Sequence, residues 1–343
     1  MAPCGIPRID DLNSAAASAT AIATGDSDSE AVGVAQQLLA GQGQPGLPNL
    51  LSPDYGVFGP RTTAAVEAFR AQQGLPAGND IDTPCVQSLV QAPASSPIAS
   101  RGYMTMVLDF PYTGLAKILS VVAQMEGAGK FSALNLNTDK AGLSFGLIQW
   151  AQKPGRLTEI LQAFQSESAA DFSRIFGDGD ANLAAALIAH TEKPQGGVDP
   201  ATGLTTDQDF DLINEPWVSR FRQAALFKAF QQAQVRTALK DFSQSSNLIQ
   251  QYAPQLTSER AMGFMIDVAN QFGNGGARSI FQAVAQAGMS VGDLLQAVAD
   301  ESVARIQDPW KAATQVRRQH FLATTFLSDD PFVNAVDQPV AAD

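Results

Sequence analysis

One stretch of the sequence is the most informative about the fold: QMEGAGKFSALNLNTDKAGLSFGLIQW, which spans residues 124–150. It starts at the end of an apolar helical pattern, continues through glycines and turn-forming residues, and ends in a short apolar run. Helical patterns dominate the rest of the chain, and strand signals elsewhere are weak. We therefore predict a mainly α protein with one short β element around residues 134–148.

The helical pattern that leads into this stretch carries a glutamate on its apolar face. Leu115, Ile118, Leu119 and Val122 are spaced at i, i+3, i+4 and i+7, and Glu126 follows four residues after Val122. Burial against apolar neighbours favours the protonated form of a carboxylate, which is what a general acid working near neutral pH requires. We predict that Glu126 stands at the edge of a cleft. The alternative is a surface residue in the last turn of the helix.

A second carboxylate lies in the turn that follows. Asp139 is flanked by the turn formers Asn137 and Gly142, so we expect its side chain to be exposed to water. A glycosidase needs a proton donor and a second carboxylate that acts as base or nucleophile, and a buried Glu with a solvated Asp supplies that pair. An aspartate in a turn more often stabilises the turn itself, and this alternative stays open.

The order of these residues resembles a known enzyme superfamily. Glu126, a short loop, Asp139-x-x-Gly142-x-Ser144-x-Gly146 and then an aromatic residue resemble the catalytic start of the lysozyme superfamily, most closely the family 46 chitosanases. The resemblance implies that Glu126 is the general acid, that Asp139 is the general base and that Ser144 positions the attacking water, with inversion. Sequence separation does not give the distance between the carboxylates, so retention stays open.

The sequence that follows, SFGLIQWAQKPGRLTEIL, also resembles phage and bacterial wall-lytic proteins, and the likeness extends in weaker form to about residue 325. A Trp can stack on a sugar face, and amide or guanidinium groups can bind hydroxyls. Candidate substrate-binding residues in this part of the chain are Gln149, Trp150, Arg260 and Asn270. Core packing explains Trp150 equally well, and structural pairing is the default for the polar groups near Arg260. We interpret the charged segment 305–318 as a solvated face.

A second informative stretch, DYGVFGPRTTAAVEAF, spans residues 54–69. Gly56 and Gly59 permit tight backbone turns, and Thr62 can cap the helix that follows. The inner face of that helix is predicted to consist of Ala65, Val66 and Phe69. The stretch resembles the small three-helix peptidoglycan-binding domain that is attached to many wall hydrolases; the alternative is a helical spacer without a ligand. Candidate glycan contacts in this domain are Asp54 and Phe58.

Composition shifts suggest the domain boundaries. Pro/Ser/Ala-rich sequence is typical of linkers, and Ala/Ser/Asp-rich sequence without periodicity is typical of tails. The predicted parts are a flexible N-terminal tail over 1–29, a peptidoglycan-binding-like domain over 30–92, a linker over 93–104, a lysozyme-like glycoside hydrolase domain over 105–330 and a C-terminal tail over 331–343.

Charge and composition exclude several classes of function. A net charge of -12 argues against a nucleic-acid partner. The chain has two cysteines and two histidines, which are too few and too far apart for a typical zinc site or a Cys/His nucleophile pair. We therefore expect no metal and no cofactor. Cys4 and Cys85 could pair in an oxidising compartment; the alternative is two reduced thiols.

We expect a monomer that acts on a glycan polymer. No run approaches the roughly 20 apolar residues of a membrane span, and the N-terminus does not resemble a secretory signal. We therefore expect no membrane insertion, and synthesis in the cytoplasm followed by action on the cell wall or an extracellular glycan. An endolysin released through a membrane pore and an effector delivered by another machine both fit this expectation.

The leading hypothesis is a glycoside hydrolase that cleaves a β-1,4 linked amino-sugar polymer, most simply the glycan backbone of peptidoglycan. A chitosanase is the first alternative, because an acidic protein suits a cationic glucosamine polymer. A lytic transglycosylase would use Glu126 alone and leave Asp139 without a catalytic task. A non-catalytic wall-binding or virion protein is the alternative from another class.

Overall fold

A computed structural model of the chain describes residues 7–48, 52, 54–91, 114–127, 129–138, 141–192, 212–225 and 227–334. These residues form thirteen helices and one three-stranded antiparallel sheet, which confirms the predicted mainly α fold with a short β element. The chain divides into two compact units, the first within 1–111 and 126–237 and the second within 112–125 and 238–337. Among the helices in the described ranges, none has the length and apolar character needed to cross a membrane.

The N-terminal part of the first unit consists of helices α1 (Pro7–Ser14), α2 (Ser29–Gly41), α3 (Pro60–Gln72) and α4 (Thr83–Gln91). Helix α3 matches the predicted one, and its predicted inner face is buried. The predicted cap by Thr62 is wrong, because Gly59 is the N-cap and Pro60 occupies the first helical position, where its missing N–H costs nothing. Thr62 is instead buried, and its hydroxyl accepts a hydrogen bond from Gln36 Nε2 at 2.9 Å.

Residues 7–29 differ from the flexible tail that the sequence predicts. Helix α1 buries Ile9 and Leu12, which are three residues apart and therefore on one face. Ile22 is also buried and forms an isolated antiparallel bridge with Ile81. Two helical turns give too short a periodic pattern to stand out from the Ala/Ser-rich sequence around them, which is why the segment resembles a tail.

The remainder of the first unit holds the sheet and four short helices. The sheet has the order β1 (Leu134–Leu136), β2 (Leu143–Phe145) and β3 (Trp150–Ala151). The first two strands lie inside the segment predicted to have β character, and β3 follows just after it. The helices are α6 (Leu157–Glu167), α7 (Ala169–Phe176), α8 (Ala181–Thr191) and α9 (Trp217–Ala224). The Phe145 ring of β2 lies 5.0 Å from Phe221 and 5.7 Å from Phe230, centroid to centroid. An aromatic core therefore anchors the central strand.

The second unit is helical. It includes residues 114–125 of α5 (Gly114–Gly127) and residues 238–252 of α10 (Lys228–Tyr252). The helices α11 (Glu259–Val284), α12 (Val291–Ala304) and α13 (Lys311–Ala323) belong to it entirely. A Cβ atom at Gly263 of α11 would lie 2.8 Å from Leu327 Cδ1 and 3.4 Å from Ile118 Cγ1. The backbone of α11 is therefore in direct contact with apolar side chains on both α5 and the segment after α13.

A buried ion-pair network joins α11 to α13. Asp267 has no exposed surface and accepts hydrogen bonds from Arg317 Nε at 2.9 Å to each carboxylate oxygen. Arg318, also buried, pairs with the same carboxylate and donates from Nε to Ser302 Oγ at 2.9 Å. The interpretation of 305–318 as a solvated face is therefore wrong at these two arginines.

Replacing Asp267 by alanine should lower the free energy of unfolding by about 3–5 kcal/mol, because it leaves buried guanidinium groups without their counter-charge. Urea unfolding followed by circular dichroism measures the loss. Glu301→Ala is the matched control, since it breaks a partly exposed pair with Arg305 and should cost less than about 1 kcal/mol. A loss for Asp267→Ala no larger than that of the control would contradict the prediction.

Four sequence predictions concern residues outside the described ranges: the linker over 93–104, the carboxylate of Asp139, the thiol of Cys4 and most of the C-terminal tail. Cys85 is a buried, free thiol in the described part of the chain. Burial raises the pKa of the Cys85 thiol to about 11, which disfavours the thiolate. Pairing of Cys85 with Cys4 stays a prediction.

Within the first unit, the N-terminal helices pack on the start of α10. The backbone N–H of Lys228 donates to Glu30 Oε2 at 2.7 Å, and Lys228 Nζ donates to the carbonyl of Tyr55. Gln37 Nε2 donates to Gln231 Oε1 at 3.0 Å. Polar side chains at a buried contact must be paired to be tolerated, so these bonds fix the geometry of the contact.

Burial raises the pKa of Glu30 to about 7 from an ordinary value of 4.5. The charges of Asp171 and Asp28 act in the same direction, whereas the Lys228 N–H and ammonium act against it. Burial also lowers the pKa of Lys228. Between pH 4.5 and 7 the folded protein therefore keeps a proton on Glu30 that the unfolded chain has released.

The free energy of unfolding should consequently fall by about 2–3 kcal/mol as the pH rises from 5 to 8, and this contribution should be lost in Glu30→Gln. Urea unfolding at several pH values in that range measures the slope. Glu67→Gln, which changes an exposed glutamate on α3, should keep the wild-type slope. An unchanged slope in Glu30→Gln would show that Glu30 does not titrate in this window.

Candidate functional site

The C-terminal end of α5 meets the turn that follows β2. A Cβ atom at Gly127 would lie 2.4 Å from Ala133 Cβ and 3.6 Å from the carbonyl oxygen of Gly146, so only glycine fits there. Glu126 precedes this contact directly and is half-buried. Helix α5 thus ends against the hairpin, with its last carboxylate beside the junction.

Ser144 lies at the centre of the small sheet. It is paired with Asn135 of β1 on one side and with Ala151 of β3 on the other, and it is 3% exposed. The connection between β1 and β2 carries Asp139, which lies outside the described residues. The sheet register therefore fixes Ser144 on the strand to which the Asp139 loop leads.

The two ends of the Asp139 loop are held by asparagine side chains. Asn135 Oδ1 accepts hydrogen bonds from the backbone N–H and the hydroxyl of Thr138, at 3.0 and 2.7 Å. Asn137, in the left-handed region at φ 69°, accepts from the backbone N–H of Gly142 at 3.0 Å. The turn-forming roles predicted for Asn137 and Gly142 are therefore confirmed.

Gln149 closes the turn after β2. Its backbone has φ 57°, and its Nε2 donates to the carbonyl oxygens of Gly146 at 2.9 Å and Ala133 at 3.3 Å. Gly146 N also donates to the carbonyl of Ala133 at 2.9 Å. The Gln149 amide nitrogen, predicted to bind sugar hydroxyls, holds the backbone of the turn instead.

Two further glutamines hold this segment, and the sequence gives no functional signal for either. Gln152 Oε1 accepts from Leu143 N at 3.1 Å at the start of β2. Gln234, on α10, accepts from Leu147 N at 3.1 Å through Oε1 and donates to the carbonyl of Phe131 at 3.1 Å through Nε2. Gln234 lies in a polar run that resembles an exposed helix surface, yet it has no exposed area.

Two predicted sugar contacts belong to hydrophobic cores. Trp150 has 0% exposure and Phe58 has 2%, so neither ring offers a face on which a sugar could stack. The expectations for both are corrected: Trp150 packs under the hairpin, where β alternation points its side chain inward, and Phe58 packs within the N-terminal helices. Asp54 is exposed, and its role in glycan contact stays a prediction.

The other two predicted contacts lie on α11 in the second unit. Arg260 Nε donates to Asp329 Oδ1 at 2.8 Å, and its Nη1 donates to the carbonyl of Thr324. This guanidinium therefore ties α11 to the segment after α13, the structural role that the sequence gave as the default. Asn270 is half-buried on the same helix.

The described residues contain no group of three or more His, Cys, Asp or Glu side chains arranged to hold a metal ion. Glu126 stands at a partly enclosed helix end, and the loop that carries Asp139 starts and ends on a tightly bonded hairpin. Such an arrangement suits acid–base catalysis.

Comparisons with known proteins give no family: no family model and no curated protein match this chain. Among solved structures, it is similar to a mutant chitosanase from Bacillus subtilis MY002 complexed with 6 GlcN, with 14% identity and a TM-score of 0.43. It is also similar to the native chitosanase from that strain, with 14% identity and a TM-score of 0.42. Both matches cover 61% of this chain and 85% of the chitosanase chain.

Gly146→Ala should destabilise the candidate site. Gly146 has φ 82°, and an added Cβ would stand 2.4 Å from Gln234 Oε1 and 3.2 Å from Trp150 Cζ3. Because both neighbours are buried and fixed, we expect the free energy of unfolding to fall by about 2–4 kcal/mol.

Gly179→Ala is the matched control for this substitution. Gly179 has φ 87°, but a Cβ there would meet nothing within 4 Å, so it should cost only the backbone strain of about 1 kcal/mol. Urea unfolding measures both variants. Equal losses would show that the turn after β2 adapts freely around Gln234.

Proposed function

We propose that the chain is a glycoside hydrolase that cleaves a β-1,4 linked amino-sugar polymer with Glu126 as general acid and Asp139 as general base. The observation that carries the proposal is the contact of Gly127 with the turn after β2, since it brings the end of the Glu126 helix to the hairpin of Ser144. The pattern Asp-x-x-Gly-x-Ser-x-Gly within that hairpin supports the same chemistry, because it resembles the catalytic start of family 46 chitosanases.

The proposed reaction is a single displacement with inversion. Glu126 donates its proton to the glycosidic oxygen as the bond between that oxygen and the anomeric carbon breaks. A water molecule attacks the anomeric carbon from the opposite face, and Asp139 accepts the proton that this water loses. Ser144 orients the water through its hydroxyl. Each turnover leaves Asp139 protonated and Glu126 ionised, and exchange with solvent restores both.

We propose the glycan backbone of peptidoglycan as the substrate. Its support is the resemblance of residues 54–69 to peptidoglycan-binding domains and of the sequence after Ser144 to wall-lytic proteins. Chitosan is the second candidate substrate, and one observation favours it: the net charge of -12 attracts a polymer of protonated glucosamine and repels an anionic wall.

Reducing-end release from peptidoglycan sacculi and from chitosan, measured in parallel, tests the function and the substrate together. We expect wild-type activity on sacculi and a loss of at least about 100-fold in Glu126→Gln and in Asp139→Asn, since each removes one proton-transfer step. Glu67→Gln changes an exposed carboxylate remote in sequence and should stay active.

The possible outcomes separate the alternatives. Activity on chitosan alone would move the proposal to a chitosanase. Cleavage of sacculi into fragments without new reducing ends, lost in Glu126→Gln but kept in Asp139→Asn, would favour a lytic transglycosylase. Products with an unchanged anomeric configuration, measured by NMR during turnover, would indicate retention. Wild-type protein that cleaves neither polymer, judged by reducing ends and by release of soluble fragments, would overturn the hydrolase proposal and favour a non-catalytic wall-binding protein.

A further inference from the structure

We propose that Gln234 is a positioning residue for the candidate site: its side-chain amide fixes the strand of Ser144 relative to the chain that leaves Glu126. This inference rests on the proposed function of those two residues. Gln234 itself is assigned no contact with substrate. Its proposed effect is transmitted through the two backbone groups to which it is bonded.

The two hydrogen bonds of Gln234 reach both sides of the candidate site. Its Nε2 donates to the carbonyl of Phe131, five residues after Glu126, and its Oε1 accepts from the N–H of Leu147, three residues after Ser144. Both distances are 3.1 Å, and the side chain has no exposed surface. A neutral amide donates and accepts at once, which neither an aliphatic side chain nor an ionised carboxylate can do.

The turn after β2 is shaped around this amide. At Gly146 a Cβ atom would stand 2.4 Å from Gln234 Oε1 and 3.0 Å from Gln234 Cδ. The absence of a side chain there lets the amide approach the backbone closely enough to bond Leu147. Phe145, two residues before Leu147, is held by ring contacts with Phe221 and Phe230. The segment of β2 and the turn after it is therefore held by one apolar contact, through Phe145, and one polar contact, through Leu147.

The helix that carries Gln234 is itself fixed. Lys228 and Gln231 precede it by six and three residues, and both are bonded to the N-terminal helices through Glu30 and Gln37. Residues spaced by three lie close together on one helix surface. The first turns of α10 therefore join the N-terminal helices to the candidate catalytic segment, so that a shift of this helix would move both contacts.

The consequence for catalysis is a loss of geometry without a loss of chemical groups. Removing both bonds leaves Glu126, Asp139 and Ser144 in the chain but lets the hairpin move relative to the end of α5. A misplacement of about 1 Å in a reacting group can lower the rate about 100-fold. We expect Gln234→Leu to lower kcat about 10- to 100-fold and to leave KM within about 3-fold.

The test uses the full chain on whichever polymer the wild type cleaves, soluble chitosan or peptidoglycan sacculi, with rates taken as a function of substrate concentration. The variants are Gln234→Leu, Gln234→Glu and the control Gln244→Leu, which changes an exposed glutamine on the same helix. Circular dichroism and thermal unfolding establish the folded fraction of each, and rates are divided by that fraction.

Gln234→Glu tests the proposal through the pH dependence of kcat, which a purely structural role of Gln234 would leave unchanged. Its carboxylate accepts from Leu147 but cannot donate to the Phe131 carbonyl until it is protonated. We expect its kcat relative to the wild type to rise as the pH falls from 8 to 5. Gln244→Leu should keep wild-type kcat at every pH. If Gln234→Leu fails to fold, the pH profile of Gln234→Glu decides.

Two results would overturn the proposal while leaving the hydrolase function intact. One is wild-type kcat in the folded Gln234 variants, and the other is a loss of rate that matches the loss of folded protein at every pH. Inactive wild-type protein on both polymers would instead overturn the proposed function, and the positioning role with it. The two failures are therefore distinguished by the wild-type measurement.

Discussion

The candidate site depends on one constraint: a sheet of three very short strands is not stable without contacts from the rest of the protein. Its three strands contain three, three and two residues, and short strands are marginal without tertiary support. Side-chain amides supply what the backbone ladder lacks. Gln149 and Gln152 act from within the segment, and Gln234 acts from α10. Because Gln152 and Gln234 are buried and Gln149 is half-buried, each bond is strong only while its partner stays in place, which makes the arrangement specific as well as stable.

Much of the fold could be predicted from the sequence because the apolar periodicity of a helix is visible within a short stretch of residues. Apolar residues at helical spacing predicted α3 and α5, and turn formers with a short apolar run predicted a β element. The sequence failed where the pattern was too short to be periodic, as over residues 7–14. The prediction also failed where two residues could each begin the same helix. Thr62 is a good N-cap residue, but α3 begins earlier, with Gly59 as the N-cap and Pro60 as its first residue.

The candidate site could be predicted only in its local part. Asn137 and Gly142 hold the turn as expected, whereas the roles of Glu126 and Asp139 stay predictions. Burial is set by partners far away in sequence, which is why Trp150 and Phe58 resembled sugar platforms and are core residues instead. Gln234 is the opposite case, a polar residue in a polar run whose partners lie 103 and 87 residues earlier. No local pattern could have identified it.

The large sequence separation between Gln234 and its two partners has a consequence for how the protein folds during synthesis. The hairpin of Ser144 leaves the ribosome well before α10, and long-range contacts form late because their loops must close first. Until the first turns of α10 are complete, Phe131 and Leu147 have no amide to bridge them. The candidate catalytic segment therefore acquires its final shape only after most of the first unit has been synthesised, and a nascent or truncated chain that ends before Gln234 lacks the amide that bonds Phe131 and Leu147.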